Sequence, residues 1–557
     1  MSGDACLLLA DFNSGNLAAY LRNDQAAPLF EVVEAPYDQV VPILADAGHA
    51  SWAAGAQIAV VWTRPEAVSP TFSAILRGDV ADLGRLAAEV DRYTELLIEA
   101  GLRVQLMLVP TWVVPTYRRG LGMSDFRPGG VAHALMTMNG RLVAALAGDP
   151  RAYVLDAQKW CERAGAKAFD PKLWYLGKIP FGHEVFKAAI PDIKAALRGV
   201  NGRAKKLLVV DLDDTLWGGI VGEVGVEGLV LGGHDRVGEA FLDFQRALKA
   251  LVRRGVLLGI VSKNEEQVAL SAINSHPEMV LGRADFAGWR IDWTDKAHHI
   301  ASLAAELNLG LQDVVFIDDN PAERARVREA LPGVLVPDWP ADPSHYAATL
   351  EQMVCFDAPD RTWEDGARNQ MYAEEKERHT DREAVGALDE WLHTLALQVS
   401  AERVNRTNVR RTIQLLNKTN QMNLSTRRLS EAELVEWVGQ EGREAWVYRV
   451  EDRFGDSGLT GILSLQAVSG GGRVVDFVLS CRVMGRGVEE TLLHHAVARA
   501  QVLGWEELLV EYLPTEKNKP CLDLMSRALQ PLKGDLPLFR WPIASEFPLP
   551  GHVEFRS

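Results

Sequence analysis

Two textures alternate along the chain: short runs that are apolar at nearly every position, and longer stretches whose apolar residues recur at helical spacing. In the first part, Ala5–Ala10, Gln57–Trp62, Arg103–Val109 and Ala152–Leu155 read as strands, and Leu83–Ala100 reads as a helix among them. This alternation predicts an α/β domain over residues 1–197. The polar, glycine-bearing Arg198–Lys206 marks its end. A second domain, 198–345, opens with the run Leu207–Val210, apolar throughout as a strand buried on both faces should be. A helix follows with Phe241, Phe244, Leu248 and Leu251 on one face and Gly255 as its stop, then the buried runs Val256–Val261 and Val314–Ile317. That order predicts a doubly wound parallel sheet. Residues 346–398 read as a charged helical connection. The last part, 399–557, reads as an α+β domain, with helices near 408–418 and 487–502 and strands near 445–450, 458–467, 473–481 and 507–512.

Composition narrows the class without changing this picture. A length of 557 residues fits three or four domains. The 47% apolar and 24% charged fractions are those of globular proteins, which excludes disordered and fibrous classes. The 75 acidic against 59 basic residues leave a net charge of -16, so no nucleic acid or anionic membrane is expected as partner, and any anionic ligand needs a local basic patch. No apolar stretch has membrane-span length. Asp4 rather than a cationic segment precedes the first apolar run, so no secretion signal is expected. Five cysteines without a CxxC pair suit reduced thiols in a cytoplasm.

Chemistry gathers at the ends of the second domain's strands. They finish in Asp211-Leu212-Asp213-Asp214-Thr215, in Ser262-Lys263-Asn264 and in Asp318-Asp319-Asn320, with Lys296 between the last two. In an open parallel sheet, ligands sit beyond the carboxyl ends of the strands, so these groups should converge. Asp211, Asp213 and Asp318 offer hard oxygens for Mg²⁺. Asp211 is placed to attack phosphorus and Asp213 to move the proton. Thr215, Ser262, Asn264, Lys296 and Asn320 would hold phosphoryl oxygens. The alternative is a set of solvated acidic strand ends. D-x-D-x-T, a Ser, a Lys and a paired acidic motif, in that order, resemble the haloacid dehalogenase superfamily. Only 46 residues separate Thr215 from Ser262, too few for a large cap domain.

In the last domain a strand runs into Cys481-Arg482-Val483-Met484-Gly485-Arg486-Gly487 and then a helix. Backbone N–H groups at such a turn can receive a phosphate, with Arg482, Gly485 and Gly487 as the binding residues; tight packing is the alternative. The pattern R-x-x-G-x-G resembles the acyl-CoA loop of GNAT-type acetyltransferases. Cys481, beside Arg482 and near a helix N-terminus, has two influences that favour a thiolate able to carry an acyl group, against the alternative of an inert buried thiol. Between Arg403 and Arg428 stand seven basic residues (Arg403, Arg406, Arg410, Arg411, Lys418, Arg427, Arg428) and no Asp or Glu. This window is either a solvated face or a site for an anionic ligand or acidic carrier.

Taken in order, KKLLVVDLDDTLWGG, GIVSKN, DWTDKA, FIDDNPAER, LLNKTNQMNLSTRR, RFGDSGLTG and LSCRVMGRGVEE resemble the FkbH-like family, which joins a subfamily IIIC haloacid dehalogenase domain to a GNAT-like domain. The resemblance implies a phosphatase/glyceryltransferase of polyketide-type biosynthesis. Such an enzyme converts 1,3-bisphosphoglycerate into a D-glyceryl thioester on an acyl carrier protein acting in trans, with Cys481 as the covalent carrier. Asn417, Lys418, Asn420 and Gln421 match a polar segment of the family. The first domain resembles SGNH hydrolases in its layout and in Asp11-Phe12-Asn13-Ser14, but the terminal D-x-x-H is missing, since Asp170 is followed by Pro-Lys-Leu-Trp. A degenerate, structural or docking role is expected there. No tyrosine follows the last helix in Lys517–Arg527, which speaks against ordinary CoA-dependent acetylation. The alternatives are a small-molecule phosphatase with a vestigial acyltransferase domain and a non-catalytic carrier-docking protein.

Overall fold

The computed structural model describes residues 4–118, 120, 122–149, 151–307, 309–358, 378, 388–419, 421–515, 518–532 and 537–557, the side chains of 54, 388, 418 and 481 excepted. The chain divides into two compact units, Met1–Ala204 with Val354–Pro359, and Lys205–Met353 with Asp360–Ser557.

The first unit holds a parallel sheet of β1 (Asp4–Ala10), β2 (Phe30–Glu34), β3 (Ile58–Trp62), β4 (Leu106–Pro110) and β5 (Ala152–Leu155), in the order β2-β1-β3-β4-β5. Side chains of β1 alternate between two cores. Cys6 and Leu8 pack on one face with the helices Gly15–Asn23 and His183–Val200, while Leu7 and Leu9 pack on the other with Leu83–Gly101 and Val131–Leu146. Covering both faces is what makes the central strands apolar at every position. β2, at the sheet edge, buries Phe30 and Val32 and exposes Glu31, Val33 and Glu34, so it offers no continuous run to find in the sequence.

The second domain is a four-stranded parallel sheet of β6 (Leu207–Val210), β7 (Leu257–Ser262), β8 (Gly288–Ile291) and β9 (Val314–Ile317), ordered β8-β7-β6-β9. Val210 pairs with Ile260 on one side and Ile317 on the other, so β6 and β9 end level with one another and β7 runs on to Ser262. Asp235 starts the helix Arg236–Arg253 by accepting the N–H groups of Val237 and Gly238. Gly255, at φ +90°, turns the chain after it, in the left-handed region a side chain avoids.

Among its described residues the C-terminal domain has nine strands: β10 (Leu397–Arg403), β11 (Met422–Asn423), β12 (Arg443–Asp452), β13 (Gly455–Val468), β14 (Gly471–Leu479), β15 (Glu507–Glu511), β16 (Gln530–Leu532), β17 (Leu538–Pro542) and β18 (Val553–Arg556). Their order is β16-β17-β15-β14-β13-β12-β10-β18, with β11 paired to β14. The helix Val488–Val502 packs Leu492, Ala496 and Val497 in the main core, and the helix Val409–Lys418 brings Leu415 and Leu416 against Val447, Ile462 and Val478.

Of the expected connection over 346–398, residues 359–377 and 379–387 lie outside the described residues; the helix Tyr346–Glu351 packs Tyr346 on Phe241 and Phe244 of the second domain, and β10 starts at Leu397. Among the described residues, no helix is long and apolar enough to cross a membrane, and Cys6, Cys161, Cys355 and Cys521 are free thiols.

Candidate active site

The level ends of β6 and β9 set two carboxylates side by side. Asp211 follows β6 and donates its N–H to the carbonyl of Ile317, the last residue of β9; Asp318 comes next. The first residue of the helix Lys296–Glu306 reaches between them. Lys296 Nζ lies 2.9 Å from Asp211 Oδ2 and 2.6 Å from Asp318 Oδ2. All three side chains are buried. Asp319 completes a cluster in which oxygens of Asp211, Asp318 and Asp319 lie within 4.8 Å of one another.

Three carboxylates against one ammonium leave excess negative charge, and the protonation equilibria show the strain. Burial and the charge of Asp211 push the carboxyls of Asp318 and Asp319 above the usual range. Burial opposes the charged form of Lys296, but its neighbours Asp211 and Asp318 outweigh burial and raise its pKa. Asp211 Oδ1 is buried without a hydrogen-bond partner, the mark of an atom reserved for something other than packing. Hard oxygens, surplus negative charge and an unsatisfied oxygen together suit a small divalent cation.

The structure changes the ligand set read from sequence. Asp213 does not join the cluster: its Oδ1 accepts from Trp217 Nε1 at 2.9 Å and from the Val221 N–H at 3.1 Å, and its Oδ2 accepts from Asn264 Nδ2 at 2.8 Å. Asp319 takes that place. Burial, helped by the charges of Asp211 and Asp214, raises the Asp213 carboxyl above the usual range, which suits a group that carries a proton. Asn264 holds Asp213. Thr215 Oγ1 accepts from the Asp319 N–H at 3.0 Å and lies 3.2 Å from Asp319 Oδ1, so it braces that loop. Asn320 is likewise a helix cap, accepting the Ala322 N–H and donating its own N–H to Asp318 Oδ1. Ser262, at the end of β7, is buried.

Sequence reasoning did not single out four further residues. Arg324 donates to the carbonyls of Asp318 and Asp319, both at 2.7 Å, fixing the turn that presents the two carboxylates. Trp217 ties the flap after β6 to Asp213. Gln245 spans the domain core, donating to the Leu216 carbonyl and accepting from the Val280 N–H. Tyr346 donates to the Asp214 carbonyl at 3.3 Å. A doubled Asp in FIDDN and an Arg in NPAER were visible, but nothing in spacing told which carboxylate leaves the cluster.

At the second constellation, Cys481–Val483 forms a short turn after β14 and the helix Val488–Val502 follows. The side chain of Cys481 lies outside the described residues. Arg482 Nε donates to Ser480 Oγ at 3.3 Å. Gly485 and Gly487 have φ of +75° and +83°, and a Cβ on Gly487 would lie 2.9 Å from the ring of His552, so both glycines are required. The expected phosphate contact is taken from within: the Gly485 N–H donates to Glu489 Oε1 at 2.6 Å. Arg486 is buried, donating to Asp452 and to the Arg482 carbonyl.

The basic window is also largely satisfied internally. Arg403, Arg410 and Arg427 pair with Glu444, Glu431 and Asp476, and Arg411 and Arg428 donate to carbonyls. Arg427 is half-buried on Asp476, whereas Arg403 and Arg410 keep exposed side chains beside their acids. Asn417 binds the Leu429 carbonyl and N–H; Asn420 and the Lys418 side chain lie outside the described residues.

In the first unit, Asp11 and Arg64 close the corner where strand order reverses between β1 and β3, with Arg64 Nε 2.7 Å from Asp11 Oδ2 and its guanidinium stacked on Trp174. Ser14 Oγ donates to Glu34 at 3.3 Å, His183 pairs with Tyr20, and Asp170 caps the helix Pro171–Gly177. The partner Ser14 has is a carboxylate rather than an imidazole.

No protein-family model and no curated protein sequence matches the chain. Among solved structures, it is similar to the N-terminal part of a Bacteroides fragilis protein containing a phosphatase domain, complexed with Mg, at 24% identity and a TM-score of 0.59 over 65% of this chain and 95% of that one. The ribosomal-protein-S18-alanine N-acetyltransferase of Escherichia coli matches 26% of this chain and 94% of its own, at 11% identity and a TM-score of 0.21. A GNAT-family acetyltransferase of Staphylococcus aureus matches 26% and 99%, at 10% identity and 0.22. The first likeness shows a shared fold, and it extends over more of the chain than the β6–β9 domain alone.

Proposed function

We propose that the chain is a Mg²⁺-dependent phosphatase and acyltransferase that converts 1,3-bisphosphoglycerate into a D-glyceryl thioester on an acyl carrier protein supplied in trans. One observation carries the phosphoryl half: Lys296 clamped between Asp211 and Asp318, with the second oxygen of Asp211 buried and unpartnered. Asp211, Asp318 and Asp319 would hold the ion; when bound, Mg²⁺ offsets phosphate charge and orients the phosphoryl oxygens. That the similar Bacteroides fragilis structure holds Mg supports this choice.

Asp211 attacks phosphorus and the bond to the leaving oxygen breaks. The proton on Asp213 passes to that oxygen. Water then attacks the aspartyl phosphate, giving its proton to Asp213 and releasing inorganic phosphate. Lys296, 2.9 Å from Asp211 Oδ2, holds that carboxylate in line throughout. In the acyl half, the Cys481 thiolate would take the glyceryl group from the acyl phosphate and pass it to the carrier thiol. The Gly485 turn, filled by Glu489, fits a domain that receives its acyl group without CoA.

The deciding experiment incubates the protein with Mg²⁺, 1,3-bisphosphoglycerate and a phosphopantetheinylated carrier, and weighs the intact carrier. A glyceryl adduct is expected. Asp211→Asn should stop phosphate release, and Cys481→Ala should stop loading. Phosphate release with a carrier that stays unmodified would leave a phosphatase only.

A further inference from the structure

A cavity of about 480 Å³ opens beside the acidic cluster and shares Asp319 with it, a size usual for small-molecule sites. Its walls include Val230, Val237, Phe241, Pro343 and Tyr346, and its remaining charged member is Asp214; among the described residues no lysine, arginine or histidine lines it. Lys296 is already committed to Asp211 and Asp318, and Arg324 turns its guanidinium to main-chain carbonyls. Asp214 is fixed in place. Its backbone sits at φ +54°, its carboxylate accepts the Gly219 N–H at 2.7 Å and its carbonyl accepts from Tyr346. Burial and then the charges of Asp319 and Asp214 outweigh the opposing charge of Arg324 and push the Tyr346 phenol up to about 12.

We infer that this cavity receives the organic arm of the phosphomonoester and selects an uncharged one, with Asp214 and its apolar walls rejecting a second anion. The inference rests on the phosphatase reading above and adds the substrate's chemical class. A carboxylate or second phosphate here would lose its hydration beside Asp214 with no cation to replace it. A divalent ion on the cluster would offset Asp319 but leave Asp214. Hydroxyl and amide groups can instead donate to Asp214 while carbon packs on Phe241 and Tyr346.

The test measures phosphate release by the full-length protein with Mg²⁺ from 3-phosphoglycerate, its methyl ester and its N-acetylcysteamine thioester, with p-nitrophenyl phosphate alongside. The neutral esters should exceed 3-phosphoglycerate in kcat/KM by at least about tenfold. Asp214→Asn, which tolerates the same backbone region and can still accept from Gly219, should shrink that ratio by improving the acid. Equal or faster turnover of 3-phosphoglycerate, or a ratio unchanged by Asp214→Asn, overturns the selectivity alone. No release from any compound overturns the phosphatase reading and the selectivity with it.

Discussion

Lys296 Nζ lies 2.6 Å from Asp318 Oδ2 with both side chains buried, so a helix that follows β8 is electrostatically bound to the end of β9, across the positions of β7 and β6. Removing that ammonium leaves Asp211 and Asp318 facing each other without compensation. Lys296→Met should destabilise the β6–β9 domain by about 3–5 kcal/mol, the cost of orphaning a buried charge. Millimolar Mg²⁺ should recover part of the loss by taking over the compensation. Thermal melts of both proteins with and without Mg²⁺ read this directly; equal Mg²⁺ shifts in the two would contradict it.

Asp213 and Asp211 divide the chemistry, and leaving-group dependence separates them. A group that protonates the departing oxygen matters most when that oxygen is a poor leaving group. Asp213→Asn should cut turnover of an alkyl phosphate by about 10²–10⁴ and that of p-nitrophenyl phosphate far less. Asp211→Asn should abolish both. Parallel losses for the two substrates in Asp213→Asn would remove its role as proton carrier.

Asp319, rather than Asp213, is the third member of the acidic cluster. Asp319→Asn should raise the Mg²⁺ concentration for half-maximal activity by about 10–100-fold, of the order seen when a metal site loses support. Asp213→Asn should leave that concentration near its original value. A Mg²⁺ titration of residual p-nitrophenyl phosphatase activity compares them.

Much of this site was legible before any coordinates because strands buried on both faces announce themselves. Leu207–Val210 and Val314–Ile317 are apolar throughout, and their ends must be where chemistry sits. β8 was not found: Gly288–Ile291 places Trp289 and Arg290 in a strand half-exposed at the sheet edge, so no apolar run marks it. Which carboxylates meet was also hidden. Asp211 and Asp213 stand two apart in sequence, but β6 ends at Val210 and Asp214 takes a positive φ. Asp213 then faces the flap and Asn264. The ion pairs of the basic window were hidden for a related reason: its counter-charges, Glu444 and Asp476, come from strands distant in sequence.

Glu489 occupies the Gly485 N–H that an incoming phosphate would need. Burial raises its carboxyl above the usual range, and its second oxygen is buried without a partner. Coenzyme A should show no binding to the wild-type protein by calorimetry at millimolar concentration. Glu489→Ala, which frees the N–H and removes the negative charge, should gain measurable affinity. Wild-type binding that Glu489→Ala weakens would reverse the argument.

His495 gives the C-terminal domain a pH dependence of definite sign. It is buried against Trp446 and Phe555, Tyr448 Oη lies 2.7 Å from its Nδ1, and burial lowers its pKa to about 4. An unfolded histidine titrates near 6.5. Between these values the unfolded chain binds a proton that the folded domain refuses, so stability falls as pH drops through that window. Across the whole window the effect is roughly 3 kcal/mol. Urea midpoints from pH 7 to pH 5 should decline for the wild-type protein and decline less for His495→Gln, which can still accept from Tyr448. Identical slopes would mean that the imidazole accepts its proton in the folded state.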